Sequence, residues 1–456
     1  MEGACPCVAG PFLTARGAMK TKFLVGISAV AVAAVALLFG GLLTGSKAGR
    51  PGEAAAPDVA AGRLVAGFSP GDTAAYAAQL EGRVAADPGD VQSLVLLGLA
   101  YQQRVRETGD PSFYPRSGAA LSRAAHLDPT NALAATGLAA LAASRHRFEQ
   151  ARFLAERARR LAPDSADPLG VLGDALVELG RYRKAFAVFD RMAALKPNLA
   201  SYSRVSYARE LLGDPQGAIR AMRLAVEAGA GTVEPLAWTL VQLGNLYFEN
   251  GRLRPATRSY REALVHFPGY VHAEAALGKV AAARGRYGKA IARYRRAVER
   301  LPLPQYEGAL GDVLRAAGRD REAREAFGAV DAIQRLLEAN GVRTELETAL
   351  FDLDHGGPPA DALARARLAY AERKSIEAED VLAWALYVNC RCNEARAHSA
   401  RALRLGTRDA LKLFHRGMIE RCLGERAAER SFLRRALAIN PHFSLLYVRV
   451  AERALR

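Results

Sequence analysis

The sequence predicts an all-α fold: an α-solenoid superhelix of stacked helical hairpins, preceded by one transmembrane helix. Three observations predict it. A pattern of small and aromatic residues recurs every 34 residues through much of Ala166–Pro304. Glycines and prolines fall at fixed points within each recurrence. A single long uncharged stretch stands apart near the N-terminus. A period of this size belongs to stacked units, none of which can bury its apolar face alone.

Residues 1–22 form a short leading segment. Met1–Ala18 has no coherent pattern, whereas Met19-Lys20-Thr21-Lys22 reads as the start of an export signal, which makes Met19 the expected initiator. Phe23–Leu43 then runs 21 residues without a charge. As a helix it is long enough for a hydrocarbon core of about 30 Å. It exceeds the roughly 7–15 residues of a signal-peptide core, and no lipobox cysteine follows. The expectation is a retained single-pass anchor. Cleavage near Ala54-Ala55-Ala56 is the alternative, and would give a secreted or periplasmic protein.

Arg16, Lys20 and Lys22 precede the apolar stretch, and Lys47 and Arg50 follow it. That bias favours repeats on the extracytoplasmic side of a cytoplasmic membrane; a cytoplasm-facing scaffold is the reverse topology. The abundance of alanine and arginine points to a bacterial source. Residues 44–70, rich in Gly, Ala and Pro, read as a flexible linker. Residues 72–456 read as the repeat array, opened by a covering helix that Asp72 caps and that ends near Ala86.

The clearest unit is Ala166–Leu199, with Leu172-Gly173, Leu176, Gly180, Ala185, Phe189, Met192 and Pro197. Ala237–Tyr270 repeats it as Leu243-Gly244, Tyr247, Gly251, Ala256, Tyr260, Ala263 and Pro268. Val271–Pro304 repeats it again as Leu277-Gly278, Ala281, Gly285, Ala290, Tyr294, Ala297 and Pro302. The small residue at the eighth position lets two helices approach closely. The fifteenth sits at a turn that favours positive φ. The aromatic at the twenty-fourth keeps an apolar stripe on the second helix, and the proline stops that helix. Weaker copies start near Val91, Ala132, Ala200, Pro304, Thr344, Ile376 and Ala410, and a closing helix spans Tyr447–Leu455. The count is about ten units.

This pattern resembles the tetratricopeptide repeat family over roughly residues 91–443. The resemblance implies a superhelix of helical hairpins whose concave face, built from the first helices, binds peptides or partner proteins. It does not imply catalysis. The family's inner-face positions fall here on Trp238, Gln242, Asn245 and Phe248 in one unit and on Lys279 in the next. Tyr207 takes such a position in the weaker unit before them. Near the C-terminus they fall on Trp384 and Tyr387, then on Phe414, His415, Met418 and Arg421. Both tryptophans of the chain lie on this mapped face. Aromatic side chains in a groove supply anchoring area; the plain alternative is that they fill contacts between adjacent first helices. The carboxylate clamp of chaperone-binding relatives is not matched, because Ala276 stands where a further polar contact would be sought.

A formal charge of +16 over 456 residues favours acidic partners. The arginines are spread through almost every unit, as a solvated helix surface would have them, and no nucleic-acid module signature occurs. Nucleic acid is therefore not the expected partner. Of the five cysteines, at 5, 7, 390, 392 and 422, none forms a zinc or redox spacing. Free buried thiols are expected at the last three, with a bridge from Cys422 to Cys390 or Cys392 as the alternative. Asp352, Asp354, His355, Asp380 and His415 form the one polar group that a hydrolase or metal-dependent enzyme could use. Their spacing matches no metal motif, and cap and turn roles suit them better. The reading is thus a membrane-anchored scaffold or adaptor that captures a protein or peptide on its concave face, with no catalytic residue, metal or cofactor.

Overall fold

A computed structural model describes residues 70–456. The expected leading segment, the anchor Phe23–Leu43 and the linker up to residue 69 lie outside the described residues. Among the described residues there is no strand, and no helix is long and apolar enough to cross a membrane.

The array is opened by α1 (Pro70–Ala86), which begins three residues earlier than a cap at Asp72 would place it, so that Asp72 lies in its first turn. Ten helical hairpins follow. They pair α2 (Val91–Thr108) with α3 (Phe113–Leu127), α4 (Ala132–Ser144) with α5 (Phe148–Leu161), and α6 (Asp167–Glu178) with α7 (Tyr182–Leu195). Next come α8 (Leu199–Leu211) with α9 (Pro215–Ala228), α10 (Glu234–Glu249) with α11 (Leu253–His266), and α12 (Val271–Ala283) with α13 (Tyr287–Arg300). The last four pair α14 (Pro304–Ala316) with α15 (Asp320–Ala339), α16 (Glu345–His355) with α17 (Pro359–Glu372), α18 (Ile376–Val388) with α19 (Cys392–Ala402), and α20 (Ala410–Cys422) with α21 (Arg426–Ile439). A short α22 (Val448–Ala454) ends the chain. The array is an all-α solenoid.

First and second helices differ in what they bury. In α18 every residue from Ile376 to Tyr387 except Glu377 is buried. In α13 only Ala290, Ile291, Tyr294 and Ala297 are. A helix covered nearly all round is sandwiched between layers, while a single stripe marks a helix with one face in solvent.

The small-residue spacing has its physical cause in the hairpin contact. A Cβ at Gly173, Gly244 or Gly311 would enter the ring of Phe189, Tyr260 or Phe327, the aromatic at the twenty-fourth position of the same unit. Leu121 and Leu433 fill the same place beneath Gly98 and Gly417. The turn position is left-handed as expected, with φ of 70° at Gly180, 70° at Gly251 and 69° at Gly285. His146 (φ 56°) and Cys390 (φ 62°) hold the same place in units that lack the glycine.

Arg204 and Asp174 form a buried ion pair between neighbouring first helices. Arg204 on α8 donates from Nε to Asp174 Oδ1 at 3.0 Å and from Nη2 to Asp174 Oδ2 at 2.7 Å. The guanidinium lies against Gly170, where a Cβ would meet it. Burial raises the pKa of the Asp174 carboxyl, and Arg204 opposes the rise.

The superhelix winds tightly enough for its successive turns to touch. Tyr182 Oη accepts from the Ile376 amide at 2.7 Å, across 194 residues. Arg145 Nη2 donates to the Asn340 carbonyl at 2.8 Å, across 195 residues. His146 Nδ1 lies 2.7 Å from the Arg343 carbonyl oxygen. The inter-helix turns at Gly180, Gly213 and Gly251 pack on the backbone of Lys374, of Gly406, and of Ile439 and Asn440 respectively. With a period of 34 residues, one superhelical turn takes between five and six units.

The expectation of free thiols is corrected at Cys392 and Cys422, which are joined by a disulfide. Cys392 opens the second helix α19 and Cys422 closes the first helix α20, so the two helix ends meet where adjacent units pack. Cys5 and Cys7 lie outside the described residues.

Candidate ligand site on the inner wall

The first helices α10, α12 and α14 stand side by side and form one stretch of the inner wall. Opposite them runs the segment Pro441–Arg449, which leaves the last hairpin and turns back into the superhelix. Between the two lies a cavity of about 340 Å³, within the size range of small-molecule and side-chain sites. Trp238, Gln242, Asn245 and Phe248 reach it from α10, Lys279 from α12, and Tyr306 and Asp312 from α14. Five of the residues expected on the concave face are thus brought together.

The polar groups of this wall are partly spent on one another. Lys279 Nζ donates to Glu249 Oε1 at 2.7 Å and lies 4.2 Å from the centre of the Phe248 ring. Asn245 Oδ1 accepts from Tyr260 Oη at 2.9 Å. His272 Nδ1 and Tyr306 Oη are 2.5 Å apart, and burial pushes the His272 pKa down to about 4, so the ring is neutral at physiological pH. His355 Nε2 sits 2.9 Å from Asp312 Oδ1. Burial works against the His355 imidazolium, but the charge and hydrogen bond of Asp312, with the charge of Asp354 and the Phe351 carbonyl, outweigh it and raise its pKa. Trp238 Nε1 and Asp312 Oδ2 are sealed within this wall and make no hydrogen bond.

Tyr207 lines a smaller adjoining cavity of about 90 Å³ with Gln242 and Asn245. Its walls carry four carboxylates, Glu210, Glu249, Glu377 and Asp409. Lys412 Nζ lies 2.7 Å from both Glu377 and Asp409. Glu210 is pushed up to about 8 by its withdrawal from water, aided by Glu249, Asp409 and Glu377 and opposed by Lys412.

The C-terminal residues are placed differently. Trp384 stacks on Tyr387 at 4.7 Å and on His415 at 4.3 Å between ring centres, and Phe414 stacks on Tyr447 at 4.8 Å. Trp384, Tyr387, Phe414 and Met418 are buried within one apolar cluster, closed by Phe443 and Tyr447 of the returning segment, and His415 is buried against Trp384. The structure leaves none of these five as open surface. Here the wide side chains fill contacts between first helices. Arg421 is half exposed and lies 3.6 Å from Glu429.

The polar group of the last three units separates into distinct pairs. His415 Nδ1 meets Asp380 Oδ2 at 2.9 Å, Tyr447 Oη donates to Asp354 Oδ1 at 2.5 Å, and His355 belongs to Asp312. Asp352 faces Arg365 at 3.8 Å. Each histidine has its own carboxylate, and His415 is sealed in the core. Among the described residues no group of three or more His, Cys, Asp or Glu is disposed to hold a metal ion, and no catalytic constellation is formed.

Asp312 and the segment Pro441–Arg449 were not among the expected site residues. Asp312 holds the ninth position of its unit, as Asn245 and Lys279 do, and that register was the available signal. The returning segment carries no periodic mark.

A profile of the family described as Tetratricopeptide repeat matches residues 142–209. That stretch resembles the family, and the described residues as a whole form a helical-repeat solenoid. No curated protein matches the sequence. Among solved structures, the APC/C hetero-tetramer Cut9-Hcn1 is 14% identical, covering 88% of this chain and 97% of that one with a TM-score of 0.37. YrrB, a TPR protein with an unusual peptide-binding site, is 19% identical over 43% of this chain and 97% of that one, at 0.29. An IFIT1 monomeric mutant with Gppp-AAAA is 18% identical over 76% of this chain and 71% of that one, at 0.38. At these scores none of the three says what the solenoid binds.

Proposed function

We propose that this chain is a scaffold or adaptor that binds a peptide segment of a partner protein on its inner wall. In this reading Phe23–Leu43 anchors it to a bacterial cytoplasmic membrane and the repeats face the extracytoplasmic side. The observation that carries the binding reading is the cavity bounded by Trp238, Asn245, Phe248 and Lys279, where an aromatic wall stands beside amide and cationic side chains. Such a wall suits an extended segment, whose backbone offers both donors and acceptors while its side chains enter gaps between helices. The anchor rests on the length and apolarity of the sequence stretch, and the preference for an acidic partner surface on the net charge.

Photo-cross-linking from within the membrane fraction tests this reading. A benzophenone amino acid placed at Ala276 or Ala309, on the cavity wall, should give a discrete adduct with a partner. The same group at Val265, on the exposed outer face, should not. Adducts from the outer position alone would contradict inner-wall binding. Release of the protein by carbonate wash, or a mature N-terminus beyond residue 43, would replace the anchor with cleavage.

A further inference from the structure

We propose that the cavity between α10, α12, α14 and the returning segment takes a large apolar side chain of the bound peptide, and that an acidic residue beside it meets Arg449. This rests on the peptide-binding reading above. The hollow has its origin in the sequence. Where α18 and α20 fill the inner wall with Trp384 and Phe414, α12 and α14 set Ala275, Ala276, Ala282, Ala283 and Ala309 along it. Much of the remaining wall is aromatic or aliphatic, with Trp238, Phe248, Tyr294 and Tyr306 on the helices and Phe443 and Leu445 on the returning segment. The volume of about 340 Å³ is more than twice the roughly 150 Å³ of an apolar cavity that holds a benzene ring. A phenylalanine side chain therefore has room, and it gains dispersion contacts and aromatic edges that water cannot use.

The charge around the cavity decides what accompanies that side chain. Asp312 is the one carboxylate among the lining residues, and it is 1% exposed and engaged by His355. The lining cations are Lys279 and Arg449. Lys279 is spent on Glu249 and on the Phe248 ring. Arg449 is exposed, and among the described residues no carboxylate stands within ion-pair distance of it. Its guanidinium lies near Tyr287, another lining residue, and opposes the burial that raises the pKa of that phenol. The charge that a ligand meets here is therefore positive and stands at the cavity's edge. A glutamate or aspartate next to the apolar residue brings a carboxylate to the guanidinium, whose planar fork suits it. The chain's +16 draws acidic partners from a distance, and Arg449 with the apolar hollow selects the part of such a partner that docks.

Calorimetric titration of the full-length protein in lipid nanodiscs tests this with three blocked pentapeptides that differ only in a central pair. The pairs are phenylalanine–glutamate, alanine–glutamate and phenylalanine–glutamine. The first peptide should bind roughly tenfold or more tightly than the second, because a buried ring is lost. It should bind about two- to fivefold more tightly than the third, as a rim ion pair allows. Ala309→Trp, which fills the cavity, should remove the phenylalanine preference, and Arg449→Gln should remove the glutamate preference alone. Equal binding of the first two peptides to the unmodified protein would overturn the apolar anchor. Equal binding of the first and third, or a glutamate preference that survives Arg449→Gln, would overturn the acidic contact. Each of these results leaves inner-wall peptide binding standing, whereas binding by none of the three would overturn both. The comparison on the unmodified protein holds even if Ala309→Trp disturbs the fold.

Discussion

Glu210 illustrates what a buried carboxylate does when its neighbours are also acids. Its pKa of about 8 stands beside about 7 for Glu178 and about 6 for Asp167, each raised mainly by burial. A carboxyl whose folded pKa lies above its unfolded value adds stability at low pH, and that contribution is lost as pH rises through the folded pKa. His355 is shifted in the same sense. His272, pushed down to about 4, acts only below the ordinary histidine range. Between about pH 7.5 and 8.5 the shifted groups named here therefore act in one direction, and the melting temperature should fall. Glu210→Gln should flatten that fall. A melting temperature that rose with pH in the unmodified protein would contradict the assignment. None of this was legible in the sequence. Glu210, Glu249, Glu377 and Asp409 come from three different units and meet only because the superhelix turns.

The hairpin is the element the sequence shows most plainly. Gly173 with Phe189 and Gly244 with Tyr260 mark a contact repeated at constant spacing, because the same pair of helices must cross in every unit. The turn glycines share one φ but not one environment. A Cβ at Gly180 would strike the Lys374 carbonyl of the next superhelical turn, while one at Gly285 meets nothing within 4 Å. Gly285→Ala should cost only the left-handed conformation, about 1–2 kcal/mol. Gly180→Ala adds a backbone collision that no rotamer relieves, and should cost on the order of 3 kcal/mol or more. Denaturant titration of the two variants separates them, and equal losses would mean that the turn at Gly180 stands free. His146 and Cys390 escaped notice as left-handed residues because the sequence signal for that turn is glycine itself. The cysteine bridge stood only as the alternative to free thiols, because Cys392 and Cys422 lie at opposite ends of dissimilar helices and no spacing rule joins them.

At the scale of the whole molecule, period and pitch are different kinds of information. The 34-residue period is written in each unit, so the solenoid could be read directly. The pitch depends on small rotations between units that leave no residue pattern, and it decides which inner-face residues stay open. Trp238 and Trp384 occupy mapped inner-face positions alike, yet the first lines a cavity and the second is covered by Tyr447. The register of first helices was therefore enough to put Trp238, Asn245, Phe248 and Lys279 on the cavity wall. It could not show that the chain's end returns to bury Trp384, Phe414 and His415. The central claim is that winding, in which the turn at Gly213 rests on Gly406 and closes the inner wall around the cavity. Genetically encoded spin labels at the exposed Leu212 and Arg408 measure it directly by double electron–electron resonance. One narrow distribution at the short end of the method's range is the predicted result. A broad distribution at long separation would show an open spiral whose turns do not touch, and would contradict the account.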